Sequence, residues 1–359
     1  MKKKVMVAMS GGVDSSVAAV LLRDQGYDIC GATLKLFSDE DVLSSCSRTL
    51  TCCSLEDVED ARSVCRKLGI EHFVFNFKEA FRDQVMQKFK RAYMEGSTPN
   101  PCIDCNRYIK FSKLIQRAIL MEKDFIATGH YARIEFDNAS GRYLLKRAAD
   151  LSKDQSYVLY VLSQHDLSRT LLPLGEMMKT RVREIAEKRD LVNARKPDSQ
   201  DICFVKDGDY AGFLENKMGV ESKSGNFIDT EGNIIGEHKG IIHYTVGQRK
   251  GLGIALGKPA YVTSKNKESN TVTIGGEEDL YSKTLKASDL NMIAVENLTS
   301  PMKAKVKTRY SQKETEAIIH PEEEDTIVVE FINRQRAITP GQAVVFYDGD
   351  IVIGGGTIV

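Results

Sequence analysis

The sequence predicts an α/β protein: a doubly wound parallel sheet in the N-terminal half, then a small mixed module and a C-terminal β-barrel-like domain. Three observations carry this. Apolar strand-like runs alternate with helical periods up to about residue 131, the pattern of a parallel sheet with crossover helices. After about residue 205 the chain turns to short alternating strands split by Gly, Asn and Asp. Its 359 residues suffice for two or three domains with separate cores. We place the domains at 1–205, 206–280 and 281–359.

In chain order, "KVMVAMS" reads as a buried strand and "SSVAAVLLRDQGY" as a helix ending near Gly26. "DICGATLKLF" is a second strand. "SLEDVEDARSVCRKLGI" opens on a capping pattern, Ser54 with Asp57, and closes at Gly69. "EHFVFNF" is a third strand, residues 79–94 a helix, "NRYIKFSKLIQRAILM" another, and "DFIATGHY" a fourth strand running into a loop. Ligands of such sheets sit at the carboxyl ends of the strands, where "SGGVDSS", "LKLF" and "TGHY" would meet. In the second half "GNFIDTEGNIIGEHKG", "AYVTSKNKESNTVTIG", "AKVKTRYS", "DTIVVEFI" and "QAVVFYDGDIVIGGG" read as strands, with "YDGD" a hairpin turn.

Hydrophobic residues at 42% and charged residues at 28% suit a soluble globular chain. No apolar run reaches bilayer length, and "MKKKVMVAMSGG" is a poor signal peptide, so we expect a cytoplasmic protein with no membrane partner. In that setting the eight cysteines (Cys30, Cys46, Cys52, Cys53, Cys65, Cys102, Cys105 and Cys203) read as thiols, metal ligands or redox groups rather than staples. Cys30 and Cys65 fall on core-facing positions, and Cys52–Cys53 reads as structural. Fifty basic and fifty acidic residues cancel, but they are sorted: residues 85–123 and 179–196 are basic, and 38–60 acidic. Either basic run suits a polyanionic partner or a solvated helix face.

A strand that breaks into Ser10-Gly11-Gly12 and opens a helix presents backbone N–H groups and a positive dipole end, a setting for phosphate. The spacing is neither a Walker loop nor a dinucleotide fingerprint. Asp14 is out of place beside phosphate unless a cation such as Mg2+ shares the site, and a plain turn with an Asp/Ser cap is the competing reading. "TPNPCIDCNRYIKF" sets Cys102 and Cys105 before a basic helical stretch, which favours thiolate; alone, such a pair is half a zinc site, a redox pair or neither. Cys203, between Ile202 and Phe204, reads alone as a small core residue. "GQRKGLGIALG" has the wrong spacing for a nucleotide loop and reads as a turn offering Arg249 and Lys250.

"SGGVDSS" resembles the pyrophosphate-binding loop of the ATP pyrophosphatase (PP-loop) superfamily. "MSGGVDSSVAA", "TPNPCIDCNRYIKF", "ATGHYAR", "SKDQSYVLY", "KPDSQDICF", "HYTVGQRKGLGI", "VKTRYS" and "TPGQAVVFY", in that order over nearly the whole chain, resemble the bacterial-type tRNA 2-thiouridylases. That resemblance implies ATP with Mg2+, tRNA as substrate (wobble-uridine tRNAs for Lys, Glu and Gln), and a sulfur donor such as a cysteine desulfurase or relay protein. Adenylation of the C2 oxygen of uridine would release pyrophosphate, and sulfur would displace AMP. By the same resemblance Ala8, Met9, Ser10, Gly11, Gly12, Val13, Asp14, Ser15, Leu34 and Gly129 bind ATP, and Asp14 takes part in the chemistry. Cys105 is the catalytic cysteine and Cys203 the persulfide carrier, the two ending as a disulfide. Asn100, Pro101 and Cys102 meet the target base, while His130, Lys153, Asp154, Gln155, Arg309, Tyr310 and Gln342 contact tRNA. Three thiolates, Cys102, Cys105 and Cys203, could instead hold an iron–sulfur cluster that binds hydrosulfide. The functional rival is a PP-loop enzyme that adenylates a small molecule, which would have no use for Cys105 with Cys203.

Overall fold

The computed structural model describes residues 2–37, 55–198, 202–205, 208–254, 257–323 and 325–359. The expected cap at Ser54 and the cysteines Cys46, Cys52 and Cys53 lie outside the described residues. The chain divides into two compact units. The first comprises Met1–Val85, Pro101–Gly208 and Asp350–Val352; the second comprises Met86–Asn100, Asp209–Gly349 and Ile353–Val359.

The first unit is built on β1 (Lys4–Ala8), β2 (Asp28–Lys35), β3 (His72–Asn76), β4 (Phe125–Ala127) and β7 (Thr170–Leu171), all parallel in the order β3-β2-β1-β4-β7. Helix α1 (Val13–Asp24) follows β1, and α2 (Leu55–Leu68) precedes β3. Their apolar faces bury Val17, Val20, Leu22, Ala61, Val64 and Leu68 against Val5 and Val7 of β1. The Val and Leu side chains among these, each worth roughly 1.5–3 kcal/mol on burial, hold the sheet and its helices together. Cys30 and Cys65 are core residues as expected, and burial pushes the Cys65 thiol up to about 12. Gly26 and Gly69 close α1 and α2 with φ of 86° and 65°, the left-handed conformation glycine adopts at low cost. The strand order switches between β1 and β4, which brings the loops after these two strands together at their carboxyl ends.

Two details differ from the sequence reading. Helical structure begins at Pro101 rather than Asn106, because proline suits the first position of a helix, where its missing N–H is not needed. Residues Pro101–Asp104 lead into a π-wound stretch, Cys105–Lys113, and then into Leu114–Leu120. The sequence reading also passed over the antiparallel hairpin β5 (Arg133–Asp137) and β6 (Arg142–Lys146), which follows β4.

In the second unit, β8 (Gly225–Ile228), β9 (Ile234–His238), β10 (Tyr261–Asn266) and β11 (Thr271–Gly275) form a sheet ordered β10-β11-β8-β9. Strands β12 (Tyr281–Met292), β13 (Met302–Lys307), β14 (Thr315–Glu323), β15 (Thr326–Arg336), β16 (Ala343–Asp348) and β17 (Ile351–Ile358) follow. They run β12-β15-β14-β13-β16-β17, and β17 pairs back to β12 through Ile358↔Ala287 and Thr357↔Ser288. The sheet is thus a closed barrel, and closure leaves no bare edge among these strands. Leu285, Val306, Ile319, Val329, Phe331 and Phe346 fill it.

Candidate active site

The loop between β1 and α1 has the shape its sequence requires. Gly11 has φ of 72°, and a Cβ there would overlap the Asp57 carbonyl, so only glycine fits. Ser15 turns its hydroxyl inward, accepting from Ser10 N at 3.2 Å and donating to Gly12 O at 3.1 Å. The loop after β4 closes directly on this turn. A Cβ on Gly129 would stand 2.6 Å from Ser15 N and 2.7 Å from the Asp14 carbonyl carbon. Glycine at 129 therefore lets two backbones meet at the strand ends. Leu34 is buried on β2, the neighbour of β1, and Thr33 beside it donates to Met9 O at 2.8 Å.

The cation that Asp14 calls for is part of the protein. Lys179, first residue of α3 (Lys179–Lys188), places Nζ 2.7 and 2.8 Å from the two Asp14 oxygens and 2.8 Å from Asp198 Oδ1. Tyr131 donates its hydroxyl to Asp14 Oδ1 at 2.8 Å; burial and that carboxylate hold the phenol far above its ordinary range. Burial disfavours the charge on Asp198, but bonds from Lys179 and Lys153 outweigh it and hold the carboxyl below the usual range. Lys179 N is itself fixed by Asp150 Oδ2 at 3.0 Å. Asn193 supports the loop from behind, donating at 2.9 Å both to Gly11 O and to Ser16 Oγ. Lys196 binds Asp57 and Asp60 at 2.7 and 2.6 Å, tying its own segment to α2.

Sequence reasoning missed Lys179, Asn193, Lys196 and Asp198. The available signal was the basic run 179–196. Lys179 and Lys196 point inward, while Arg181, Arg183, Arg189 and Arg195 pair with Glu184, Asp198, Asp24 and Glu187. Charge order along the chain records the cations but not the carboxylates that fold onto them.

The cysteines occupy distinct settings. Cys102 is exposed in the first turn after Pro101, and Cys105 is buried one turn further on, so it is not the helix-start residue that the sequence suggested. Cys203 is partly exposed, and the core role proposed for it falls to Phe204. The Phe204 ring meets Phe81 edge-on at 5.6 Å, and Lys78–Phe81 packs on the Cys105–Lys113 stretch. Among the described residues no three His, Cys, Asp or Glu side chains gather as a metal site requires, so Cys102, Cys105 and Cys203 do not form a ready cluster site.

The remaining candidates hold structural bonds. His130 Nδ1 lies 2.8 Å from Thr128 Oγ1, and its ring lies 5.7 Å from Phe111. Burial, with the Lys110 charge nearby, lowers its pKa to about 3, so it is neutral at physiological pH. The unfolded chain takes up this proton below about 6.5, whereas the folded chain refuses it until about 3. Stability is therefore expected to fall as pH drops across that window, and His130→Gln should flatten the pH dependence of the urea midpoint. Lys153 bonds Asp198 at 2.9 Å, Asp154 accepts from Ala148 N and the Ser156 hydroxyl, and Gln155 accepts from Tyr131 N at 2.9 Å. In the second unit Arg309 donates to Ala337 O and Thr339 Oγ1, Gln342 to Thr98 O, and Tyr310 is exposed. Arg249 and Lys250 are exposed on a turn that Gln248 braces through Thr245 N and Lys250 O.

A parallel sheet whose first loop is a glycine turn with an aspartate can serve several PP-loop chemistries; full-length similarity decides among them. The chain is 54% identical to the tRNA-specific 2-thiouridylase MnmA of Acetivibrio thermocellus over 357 residues, 99% of each chain. It is 52% identical to that of Clostridioides difficile over 358 residues, 100% of this chain and 98% of the relative. The chain belongs to the tRNA-specific 2-thiouridylases. Family models agree in extent: a tRNA methyl transferase HUP domain matches 3–207, a PRC-barrel domain 211–276 and an aminomethyltransferase β-barrel domain 282–358. In this 2-thiouridylase no described helix is long and apolar enough to cross a membrane.

Proposed function

We propose that this 2-thiouridylase replaces the C2 oxygen of the wobble uridine of tRNA with sulfur, consuming ATP and releasing pyrophosphate and AMP. The observation that carries the proposal is the union of two loops: Gly11-Gly12-Val13-Asp14 and Gly129 meet at the strand ends, with Lys179 balancing Asp14. Backbone N–H groups at the start of α1 would hold the ATP phosphates. Neutralising Asp14 lets a carboxylate stand there without repelling them. ATP would arrive with Mg2+, for which Asp14 is the carboxylate at hand. Leu34 and Ala8 lie on neighbouring strand ends, where the adenosine would rest.

The C2 carbonyl of uracil is a weak electrophile with no leaving group. When its oxygen bonds to the α-phosphorus, the bond from that phosphorus to the bridging oxygen breaks. The electron pair leaves with pyrophosphate, and the N3 proton passes to solvent. C2 then carries an AMP that can depart. The outer sulfur of a Cys203 persulfide, delivered by a desulfurase or relay protein, attacks C2. AMP leaves with its oxygen, Cys105 thiolate attacks the inner sulfur to give a Cys105–Cys203 disulfide, and the freed thio-base takes a proton from solvent at N3. Two equivalents of an external thiol, oxidised to their own disulfide, reset the pair. The base must leave its stack to react, at about a few kcal/mol. Asn100, Pro101 and Cys102 would meet it, while His130, Lys153, Asp154, Gln155, Arg309 and Tyr310 would contact the tRNA, including those for Lys, Glu and Gln. A 1–205 catalytic domain, a 206–280 central module and a 281–359 barrel divide this work.

The deciding experiment incubates purified protein with ATP, tRNA and a persulfide donor and analyses the nucleosides. The expected product is 2-thiouridine, with AMP and pyrophosphate formed only when tRNA is present. ATP turnover driven by a small molecule without tRNA would overturn the proposal.

A further inference from the structure

We infer that Gln342 is a positioning residue, which holds the segment carrying Asn100 in place by bonding Thr98. The inference rests on the thiolation reading above for its kinetic consequence, and on the geometry of the second unit for its mechanism.

Gln342 Nε2 donates to Thr98 O at 2.6 Å, and Thr98 N donates to Pro340 O at 2.8 Å. These reciprocal bonds join both polar groups of one peptide segment to a single loop. Between the two contacts stands Gly341, with φ of 87°. A Cβ on it would lie 2.9 Å from both Ser97 Cβ and Thr98 N, so the two backbones touch with no side chain between them. The loop is itself braced. Gly341 N donates to Ile358 O and Ile358 N to Gln342 O, both at 2.8 Å, and Arg309 holds Ala337 O and Thr339 Oγ1 just upstream. Rigidity on the barrel side is therefore passed to residues 97–100, a stretch that has neither helix nor strand of its own.

The chain from Thr98 reaches Asn100 in two residues and Cys102 in four. Misplacing a substrate-facing segment by about 1 Å costs on the order of a hundredfold in rate. A glutamine spent on Thr98 O thus acts on the reaction through placement rather than through contact with RNA.

The test measures 2-thiouridine formation against tRNA concentration for wild type, Gln342→Ala, Gln342→Glu and Gly341→Ala. Gln342→Glu keeps the size but sets a carboxylate against the Thr98 carbonyl. Gly341→Ala keeps the Gln342 side chain but pushes on Ser97 and Thr98. All three are expected to lower kcat by about tenfold or more while tRNA KM stays within about threefold. A rise in tRNA KM with kcat intact in the Gln342 variants, and no effect in Gly341→Ala, would overturn the inference in favour of direct RNA contact. Loss of melting temperature without a change in kcat would reduce Gln342 to a structural prop. Hydrogen exchange of the peptide covering 95–100, in protein without ligand, reads the clamp even if wild type makes no 2-thiouridine. Faster exchange in Gln342→Ala supports the clamp, and unchanged exchange rejects it. Absence of product in wild type would count against the thiolation reading alone.

Discussion

Replacing Lys179 with methionine is expected to suppress tRNA-dependent pyrophosphate release by about a hundred- to a thousandfold. The ammonium is nearly enclosed, with 10% of its side chain exposed, and it is shared by Asp14 and Asp198. Without it, the Asp14 carboxylate stands uncompensated beside the loop proposed to hold the ATP phosphates, and that loop loses a fixed cation at its edge. The fold should also weaken. Breaking a buried pair costs roughly 3–5 kcal/mol, and here the low end applies because Asp14 and Asp198 keep 30% and 27% of their side chains in water. The double variant Lys179→Met with Asp14→Asn removes the stranded charge, because Asp198 keeps Lys153 and Arg183, so it should regain part of the stability and none of the rate. Urea unfolding and a pyrophosphate assay separate the two effects. Wild-type pyrophosphate release from Lys179→Met would show that the ammonium serves the fold alone.

Cys105→Ser and Cys203→Ser are each expected to bring 2-thiouridine formation to background while pyrophosphate release continues. Adenylation uses the loop and needs neither thiol, whereas sulfur delivery needs both. In Cys203→Ser no persulfide forms. In Cys105→Ser the persulfide on Cys203 forms but cannot be resolved, because a serine hydroxyl is a far weaker nucleophile than a thiolate. In Cys203→Ser the adenylated base would hydrolyse back to uridine, so ATP is consumed without product; in Cys105→Ser the persulfide still displaces AMP and the base stays linked to Cys203 through a disulfide. Mass spectrometry of the protein after treatment with a persulfide donor distinguishes the variants: the extra sulfur mass persists on Cys203 in Cys105→Ser and is missing in Cys203→Ser. Full thiolation by either variant would remove the two-cysteine route.

The fold was legible because its signals are local. Apolar runs of strand length, helical periods closed by Gly26 and Gly69, and a shift to turn-separated strands after residue 205 are all properties of neighbouring residues. The hairpin β5–β6 was overlooked although "RIEFD" alternates polar and apolar and "DNASG" supplies a turn, because five-residue runs on either side of it give only a short signal. The start of the Cys105 helix was also misjudged, because the helical period was counted from Asn106.

By itself, the sequence determined the phosphate loop and its first helix. Glycine at 11 is required by its left-handed backbone, three residues before the acid at 14, and the full-length motif order named the family. Only the tertiary structure decided what balances Asp14. Lys179 stands 165 residues away in sequence, and Asn193, which holds Gly11 O, stands 182 away. Ion pairs and loop-to-loop bonds depend on distance in space, and a parallel sheet gathers loops at its strand ends from segments far apart in the chain. The cation that Asp14 needed was therefore present in the sequence as one of seven in a basic run, and the fold selected which one.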